Sequence, residues 1–222
     1  MHTYKNLTLI GTSHISKESV REVEKVILDK KPEIVAIELD RIRLESLLRQ
    51  KRRLSVKDIK KVGFKGFLFA FIGHWVEKKL GEIVKVKPGS EMIKAIETAR
   101  KTNSRIALID QDIRVTLKKI SKGLTLREKL RFVSDVLKSF FIKTKIEFDL
   151  RKVPEQEIIK KMTEELKKRY PTLYNVLIEE RNFIMAKNLY KLMKTDKTII
   201  AVVGAGHENR IIKILKDLED VR

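Results

Sequence analysis

Two segments at opposite ends of the chain share one pattern, an apolar run followed by Gly-x-x-His. Leu7–Gly11 leads into His14, and Thr198–Val203 leads through Gly204 into His207. Short apolar runs closed by glycine are typical of strands buried on both faces, as in parallel sheets. In open α/β sheets, ligands bind beyond the carboxyl ends of the strands. The pattern therefore predicts an α/β fold that delivers two of the chain's four histidines to a ligand site.

The rest of the chain supports the same fold class. Further strands are predicted at residues 34–39 and 105–110, and helix-like apolar periodicity separates the strands. Residues 7–39 then form a βαβ unit, which is right-handed by default. We predict one α/β domain over residues 1–222, with a parallel or mixed central sheet flanked by helices. Its basic, helix-rich middle, residues 41–197, forms a large helical insertion between the second strand and the last strand.

Charged side chains follow the second predicted strand. Glu38 closes this otherwise apolar strand, level with His14 if the first two strands are parallel. The carboxylate of Glu38 can belong to a structural salt bridge, or it can be a metal ligand or general base. Arg43 falls in the first turn of the next helix, where a cation opposes the helix dipole. Its position indicates a partner anion, either Glu38 or a substrate.

Two later segments also place charges near the expected site. Asp112 and Arg114 follow the third predicted strand. In a helix predicted at about 172–194, Glu180 and Arg181 interrupt neighbouring apolar stripes at the same level. Burying such charges costs several kcal/mol per ion unless they are paired or bound. The helix therefore indicates either a structural ion pair or a substrate-binding role, and the sequence favours neither.

The net charge of +20 is concentrated in the middle of the chain. Residues 41–150 hold 28 Lys and Arg against 12 Asp and Glu. Such a region can attract nucleic acid, anionic lipid or acidic substrates, or it can be the lysine-rich surface of a thermophile protein. Nucleic acid is the least favoured partner, because no helix-turn-helix, zinc-finger or RNP-type motif accompanies the charge.

Residues 62–76 carry a broad aromatic face at helical spacing. The face suits a core helix, a homodimer interface or a helix lying on a membrane surface, and the first two are favoured because core packing is commoner. His74 does not follow a strand pattern, so we interpret it as structural.

Several functions are excluded or disfavoured by what the sequence lacks. Cysteine is absent, which excludes disulfides and thiolate chemistry. No Gly-x-Ser-x-Gly elbow and no phosphate-binding glycine motif occurs. Neither a signal peptide nor an apolar stretch of about 18 residues is visible. We therefore expect a cytoplasmic protein, or the soluble domain of a membrane-anchored one.

Six segments, in order along the chain, carry a family resemblance. They are Gly11-Thr12-Ser13-His14, Ile37-Glu38-Leu39-Asp40 with Arg43, Lys87-Pro88-Gly89-Ser90-Glu91-Met92, Leu108-Ile109-Asp110-Gln111-Asp112-Ile113, Glu180-Arg181-Asn182 and Val203-Gly204-Ala205-Gly206-His207. Together they resemble the TraB/PrgY family, which includes plasmid pheromone-shutdown proteins and many archaeal proteins. That family is related to the Tiki proteases, the erythromycin esterases and the ChaN-like proteins. The resemblance implies an α/β fold and metal-dependent hydrolysis built on paired Gly-x-x-His motifs and an acidic residue.

On this hypothesis the chain is a peptidase-like hydrolase with a divalent ion, zinc or manganese, held by His14, His207 and Glu38. Imidazole and carboxylate ligands suit these metals, and the ion lowers the pKa of a bound water toward about 7. Glu38, Glu91, Arg43 and Arg181 are the predicted catalytic residues. Glu91 or a second carboxylate takes a proton, and Arg43, Arg181 or Arg114 holds an oxyanion or a substrate carboxylate. Arg114, Asp112 and Glu180 are the predicted substrate-binding residues.

A second hypothesis from a different class is a non-catalytic protein that sequesters a peptide or pheromone in the same cleft. An enzyme needs the metal and its water, whereas a binding protein tolerates His14→Ala with folding intact and part of its affinity kept.

The chain departs from the family pattern in two respects. The common Glu-Arg-Asp appears as Glu180-Arg181-Asn182, which puts the contribution of the aspartate in question. Many archaeal members continue into transmembrane helices after the last Gly-x-x-His, whereas this chain ends fifteen residues past His207. We therefore expect a form without that region or a part of a longer protein.

Overall fold

The computed structural model describes residues 1–12, 17–49, 89–141 and 156–220, and it is an α/β fold. The strands are β1 His2–Tyr4, β2 Leu7–Thr12, β3 Ile34–Ile37, β4 Arg105–Leu108 and β5 Ile199–Gly204. The helices are α1 Lys17–Lys30, α2 Arg41–Arg49, α3 Ser90–Lys101, α4 Ile113–Gly123, α5 Leu126–Phe141, α6 Gln156–Arg169, α7 Pro171–Tyr174, α8 Glu180–Met193 and α9 Ala205–Asp220. A π-helical turn, Asn175–Glu179, joins α7 to α8.

The sheet brings the two ends of the chain together. Its strand order is β1-β2-β5-β3-β4, with β1 antiparallel to β2 and the other neighbours parallel. The last strand therefore lies between β2 and β3. Gly11 is opposite Val203 and Thr12 is opposite Gly204, so both glycine-terminated strands end at the same edge.

The central strands are buried on both faces, as their apolar sequences predict. Ala201 and Val203 of β5 pack into a core that includes residues of α8 and α9. The alternating residues Ile200 and Val202 pack on the opposite side with α1 and α3. Burying a Val or Ile side chain stabilises a fold by about 1.5–3 kcal/mol, so β5 is held from both sides.

The predicted fold class is confirmed. The four predicted strands match β2, β3, β4 and β5 within two residues at either end, and the described residues between β3 and β5 are mostly helical. The sequence analysis missed β1, because three residues are too few for a period-two pattern. His14 and the segment 62–76, including His74, lie outside the described residues. Within the described ranges, no helix is long and apolar enough to cross a bilayer.

Glu128 joins two helices of the insertion. Its backbone N–H donates to the Thr125 hydroxyl at 3.2 Å, and its Oε2 accepts from the Thr125 N–H at 3.0 Å. This reciprocal pair is a capping box. The other carboxylate oxygen, Oε1, accepts from the Thr172 N–H at 2.8 Å, in the first turn of α7. Burial raises the pKa of Glu128, but these hydrogen bonds outweigh it and hold the pKa below its ordinary value.

We predict that Glu128→Ala lowers the free energy of unfolding by about 1–3 kcal/mol, because backbone N–H groups at two helix starts lose their acceptor. Urea unfolding at neutral pH measures the change. Glu165→Ala, at an exposed position of α6, is the control and should change stability little. Equal losses in the two variants would contradict this role for Glu128.

Candidate functional site

Three buried carboxylates meet at the edge where the parallel strands end. Glu38 and Asp40 follow β3, and Asp110 follows β4. Their backbone continues the strand hydrogen bonding: the Glu38 N–H donates to Val202 at 3.1 Å and the Asp110 N–H donates to Leu39 at 3.4 Å. The sheet itself therefore sets the positions of Glu38 and Asp110.

Glu38 connects the end of β3 to β5 and to two helices. Its Oε2 accepts from the Gly204 N–H at 2.6 Å, and its Oε1 accepts from Arg181 Nη2. The same Oε1 lies 3.5 Å from Nε2 of His207. A carboxylate fixed by a backbone N–H and a guanidinium cannot rotate freely, so Glu38 presents Oε1 to His207 in a defined orientation.

Arg181 reaches the strand ends from α8. Besides Glu38, it binds Asp110, with Nη2 2.6 Å from Oδ2 and Nε 3.1 Å from both carboxylate oxygens. Burial lowers the pKa of Arg181, but Asp110 and Glu38 outweigh it, so the guanidinium stays charged. The sequence analysis placed Glu180 at the same level of the helix as Arg181 and considered an ion pair between them. Glu180 instead binds Lys119 of α4 at 2.5 Å.

The π-helical turn directly before α8 was not predicted. Each residue advances an α-helix by about 100°, so a wider turn changes which side chains of the following helix face the sheet. Asn182, the third residue of α8, is completely buried, and Arg181 is largely buried. We infer that the π turn sets the rotation that directs these two adjacent polar residues toward the strand ends.

Arg43 binds the other two carboxylates. Its Nε is 2.5 Å from Asp40 Oδ2 and its Nη2 is 2.5 Å from Asp110 Oδ2. Asp40 also accepts the Ile42 and Arg43 N–H groups at 2.8 and 3.1 Å, which caps α2. The partner anions of Arg43 are thus Asp40 and Asp110, whereas Glu38 is bound by Arg181.

The cluster of Glu38, Asp40, Asp110, Arg43 and Arg181 has one more carboxylate than guanidinium. Burial raises the pKa of Asp110, but the hydrogen bonds and charges of Arg181 and Arg43 outweigh it and hold the pKa below 3.8. Asp110 is therefore ionised at neutral pH.

His207 enters the site from the first turn of α9. Its ring is buried, and Nδ1 lies 2.7 Å from Oδ1 of Asn182, which is completely buried. Asn182 entered the sequence analysis only as a departure from a family motif. Asn182 could have been identified as a site residue because it is a polar residue next to Arg181 on the buried side of a helix.

Glu208, next to His207, is a further buried carboxylate that the sequence analysis missed. Its Oε1 is 3.2 Å from the amino group of Met1. A Cβ at position 11 would meet Oε2 of Glu208 at 2.3 Å, far inside contact distance. A side chain at position 11 would therefore require the Glu208 carboxylate to move.

The other predicted site residues lie outside this cluster of ion pairs. Glu91 is buried in the first turn of α3. Because α3 ends just before β4 begins, its first turn lies at the carboxyl edge of the sheet. Asp112 caps α4 and forms an exposed pair with Arg114 at 2.6 Å. Substrate binding by Arg114, Asp112 and Glu180 stays a prediction.

Two residues of the predicted metal site, Glu38 and His207, are adjacent, and the third, His14, lies outside the described residues. In the part of the chain that the structure describes, no group of three His, Asp or Glu side chains is arranged to hold a metal ion. The metal site therefore stays a prediction that depends on a ligand from residues beyond those described.

Comparison with known proteins gives a consistent family match. The sequence model of the TraB/PrgY/gumN family matches residues 2–221. An uncharacterized protein of Methanocaldococcus jannaschii is 40% identical over 222 residues, which are 97% of this chain and 54% of that protein. The TraB domain-containing proteins of Homo sapiens and Bos taurus are each 23% identical over 232 residues, covering 90% of this chain and 60% and 59% of theirs. The chain thus spans between half and two thirds of the length of these relatives.

We predict that Asp110→Asn lowers the free energy of unfolding at neutral pH by about 3–5 kcal/mol, because two guanidinium groups lose a shared buried partner. Asp112→Asn is the matched control: it lies two residues away on the surface, and asparagine caps helices as well as aspartate does. It should change stability little. The difference is measured by urea unfolding.

A comparison of wild type with Asp110→Asn at different pH values also tests the pKa of Asp110. Because this pKa is lower in the folded state than its ordinary value of 3.8, its contribution to stability is present above 3.8 and is lost as the pH falls through the folded value. The stability gap between wild type and Asp110→Asn should narrow when urea unfolding is repeated at progressively more acid pH. A gap independent of pH would show that folding does not lower the pKa of Asp110.

Proposed function

We propose a function from the premise that this chain belongs to the TraB/PrgY/gumN family. The chain is a metal-dependent hydrolase that acts on peptides, with a divalent ion, zinc or manganese, held at the carboxyl edge of the sheet. Glu38 and His207 bind the ion, and His14 supplies a further ligand. The peptide substrate class follows from the resemblance given above.

The observation that carries this proposal is the 3.5 Å distance between Glu38 Oε1 and His207 Nε2. Zinc binds histidine nitrogen and carboxylate oxygen at about 2.0–2.2 Å. Two such ligands at a tetrahedral angle are separated by about 3.4 Å. The spacing therefore fits two ligands of one ion.

The orientation of His207 supports the same assignment. When Nδ1–H donates to Asn182 Oδ1, Nε2 directs its lone pair toward the carboxylate of Glu38. Metal-binding histidines usually donate their second N–H to a carbonyl or carboxylate oxygen in this way. Two acceptor atoms that face each other repel unless a proton or a metal ion lies between them.

The charge of the cluster also favours a cation. Its three buried carboxylates exceed its two guanidinium groups by one. An uncompensated buried charge costs several kcal/mol. A divalent ion offsets this excess of negative charge.

Each residue has a defined task in this proposal. A bound ion would supply a Lewis acid and a water whose pKa falls toward about 7. Arg181 and the Gly204 N–H hold Glu38 in place, and Asn182 holds His207. Glu91 would accept the proton that this water loses. The Nη1 group of Arg43, whose other nitrogens bind Asp40 and Asp110, binds a substrate carboxylate or the developing oxyanion.

One observation favours the second candidate, peptide binding without turnover. Arg181 already supplies a positive partner to Glu38, and this ion pair requires no metal. A binding protein could use the same cleft with His207 as a hydrogen-bonding group. Metal content separates the two candidates.

We predict near-stoichiometric zinc or manganese in untagged protein after dialysis against metal-free buffer, measured by elemental mass spectrometry. His207→Ala and His14→Ala should each lose the ion, because each removes a ligand. His2→Ala, at an exposed position of β1, is the matched control and should keep it. Hydrolysis of a peptide library is then measured with and without the ion.

Circular dichroism and thermal unfolding confirm that the variants fold. A wild-type protein that holds no metal and gains no thermal stability from added zinc or manganese would contradict the hydrolase proposal. Peptide affinity that survives His207→Ala in such a protein would support the binding proposal instead.

A further inference from the structure

Helix α5 has two faces of opposite character. One face is fixed to its neighbours: Glu128 binds the Thr172 N–H, the ring of Phe132 packs edge-on against Tyr170 at 6.4 Å between centroids, and Asp135 accepts from the Tyr170 hydroxyl at 2.5 Å. These contacts hold the helix against the start of α7. They also fix which side of α5 points outward.

The outward face is apolar. Leu126, Leu130 and Val133 are 72%, 63% and 49% exposed. At 100° per residue they lie within about 60° of one another, and about 180° from Glu128 and Asp135. Single exposed leucines are ordinary on protein surfaces. Three in one stripe, opposite the packed face of a helix, are typical of an interaction surface.

Basic residues border this stripe on both sides. Arg127 and Lys129 are exposed, and helical geometry places them on opposite flanks of the leucines. Both acidic residues of α5, Glu128 and Asp135, are on the packed face. The outward half of the helix therefore combines an apolar centre with a purely cationic border.

We propose that the outward face of α5, defined by Leu126, Leu130, Val133, Arg127 and Lys129, binds the surface of an anionic lipid bilayer. An apolar stripe flanked by Lys and Arg is the pattern of helices that lie in the membrane interface. A second copy of the chain would bring the same positive border against this one. Nucleic acid matches the charge but leaves the leucines exposed to water.

The proposal is tested by cosedimentation of the protein with two kinds of vesicle. One is phosphatidylcholine alone, and the other contains about 30% phosphatidylglycerol. We expect binding to the anionic vesicles and little binding to the neutral ones. Arg127→Gln/Lys129→Gln should lower the partition constant at least about tenfold, because each basic residue near an anionic surface contributes about fivefold. Leu126→Ser/Leu130→Ser should lower it as well, because apolar insertion is lost.

Two control variants distinguish binding through this surface from binding through the net charge of the whole chain. Arg21→Gln/Lys25→Gln removes the same charge from exposed positions of α1, and Leu28→Ser/Leu48→Ser removes exposed leucines from α1 and α2. Both should bind anionic vesicles as wild type does. Circular dichroism confirms folding of all four double variants.

Three results would overturn the proposal. They are the absence of binding to anionic vesicles, equal losses in the α5 and control variants, and a dimer in light scattering that Leu126→Ser/Leu130→Ser dissolves. The last result would assign the surface to a second copy of the chain.

Discussion

The double ion pair of Arg181 with Glu38 and Asp110 holds the candidate site together. It connects α8 to the ends of two strands, and Arg43 extends it through Asp110 to Asp40 and α2. Burying these charges is unfavourable unless each finds partners. The strand register, the cap of α2 and the rotation of α8 together satisfy this requirement, so the fold and the site stabilise each other.

This arrangement also gives the site its electrostatic character. Two guanidinium groups bind three carboxylates, and one of these, Glu38, lies beside the Nε2 atom of His207. In the proposed function, a bound cation offsets this excess of carboxylates. The proposed metal function and the proposed membrane contact are independent, because the first depends on buried charge and the second on the exposed face of α5.

The sequence predicted the features that depend on local pattern. Four strands, the α/β class and the positions of Glu38 and Arg43 near the strand ends follow from apolar runs and from polar residues that interrupt them. The partners in the ion pairs could not be predicted from the sequence, because partners more than 60 residues apart are brought together only by the order of the strands. Arg43 binds Asp110, and Glu180 binds Lys119 rather than Arg181. The π turn and the approach of Glu208 to Gly11 leave no periodic signal, so both emerged only from the structure.

The central claim is that one ion lies between His207 and Glu38. Anomalous diffraction from crystals grown with zinc, recorded above and below the zinc absorption edge, tests it most directly. The account predicts a peak at about 2.0–2.2 Å from both His207 Nε2 and Glu38 Oε1. A map without a peak there, in crystals that contain zinc and keep the Arg181 pair with Glu38, would contradict it.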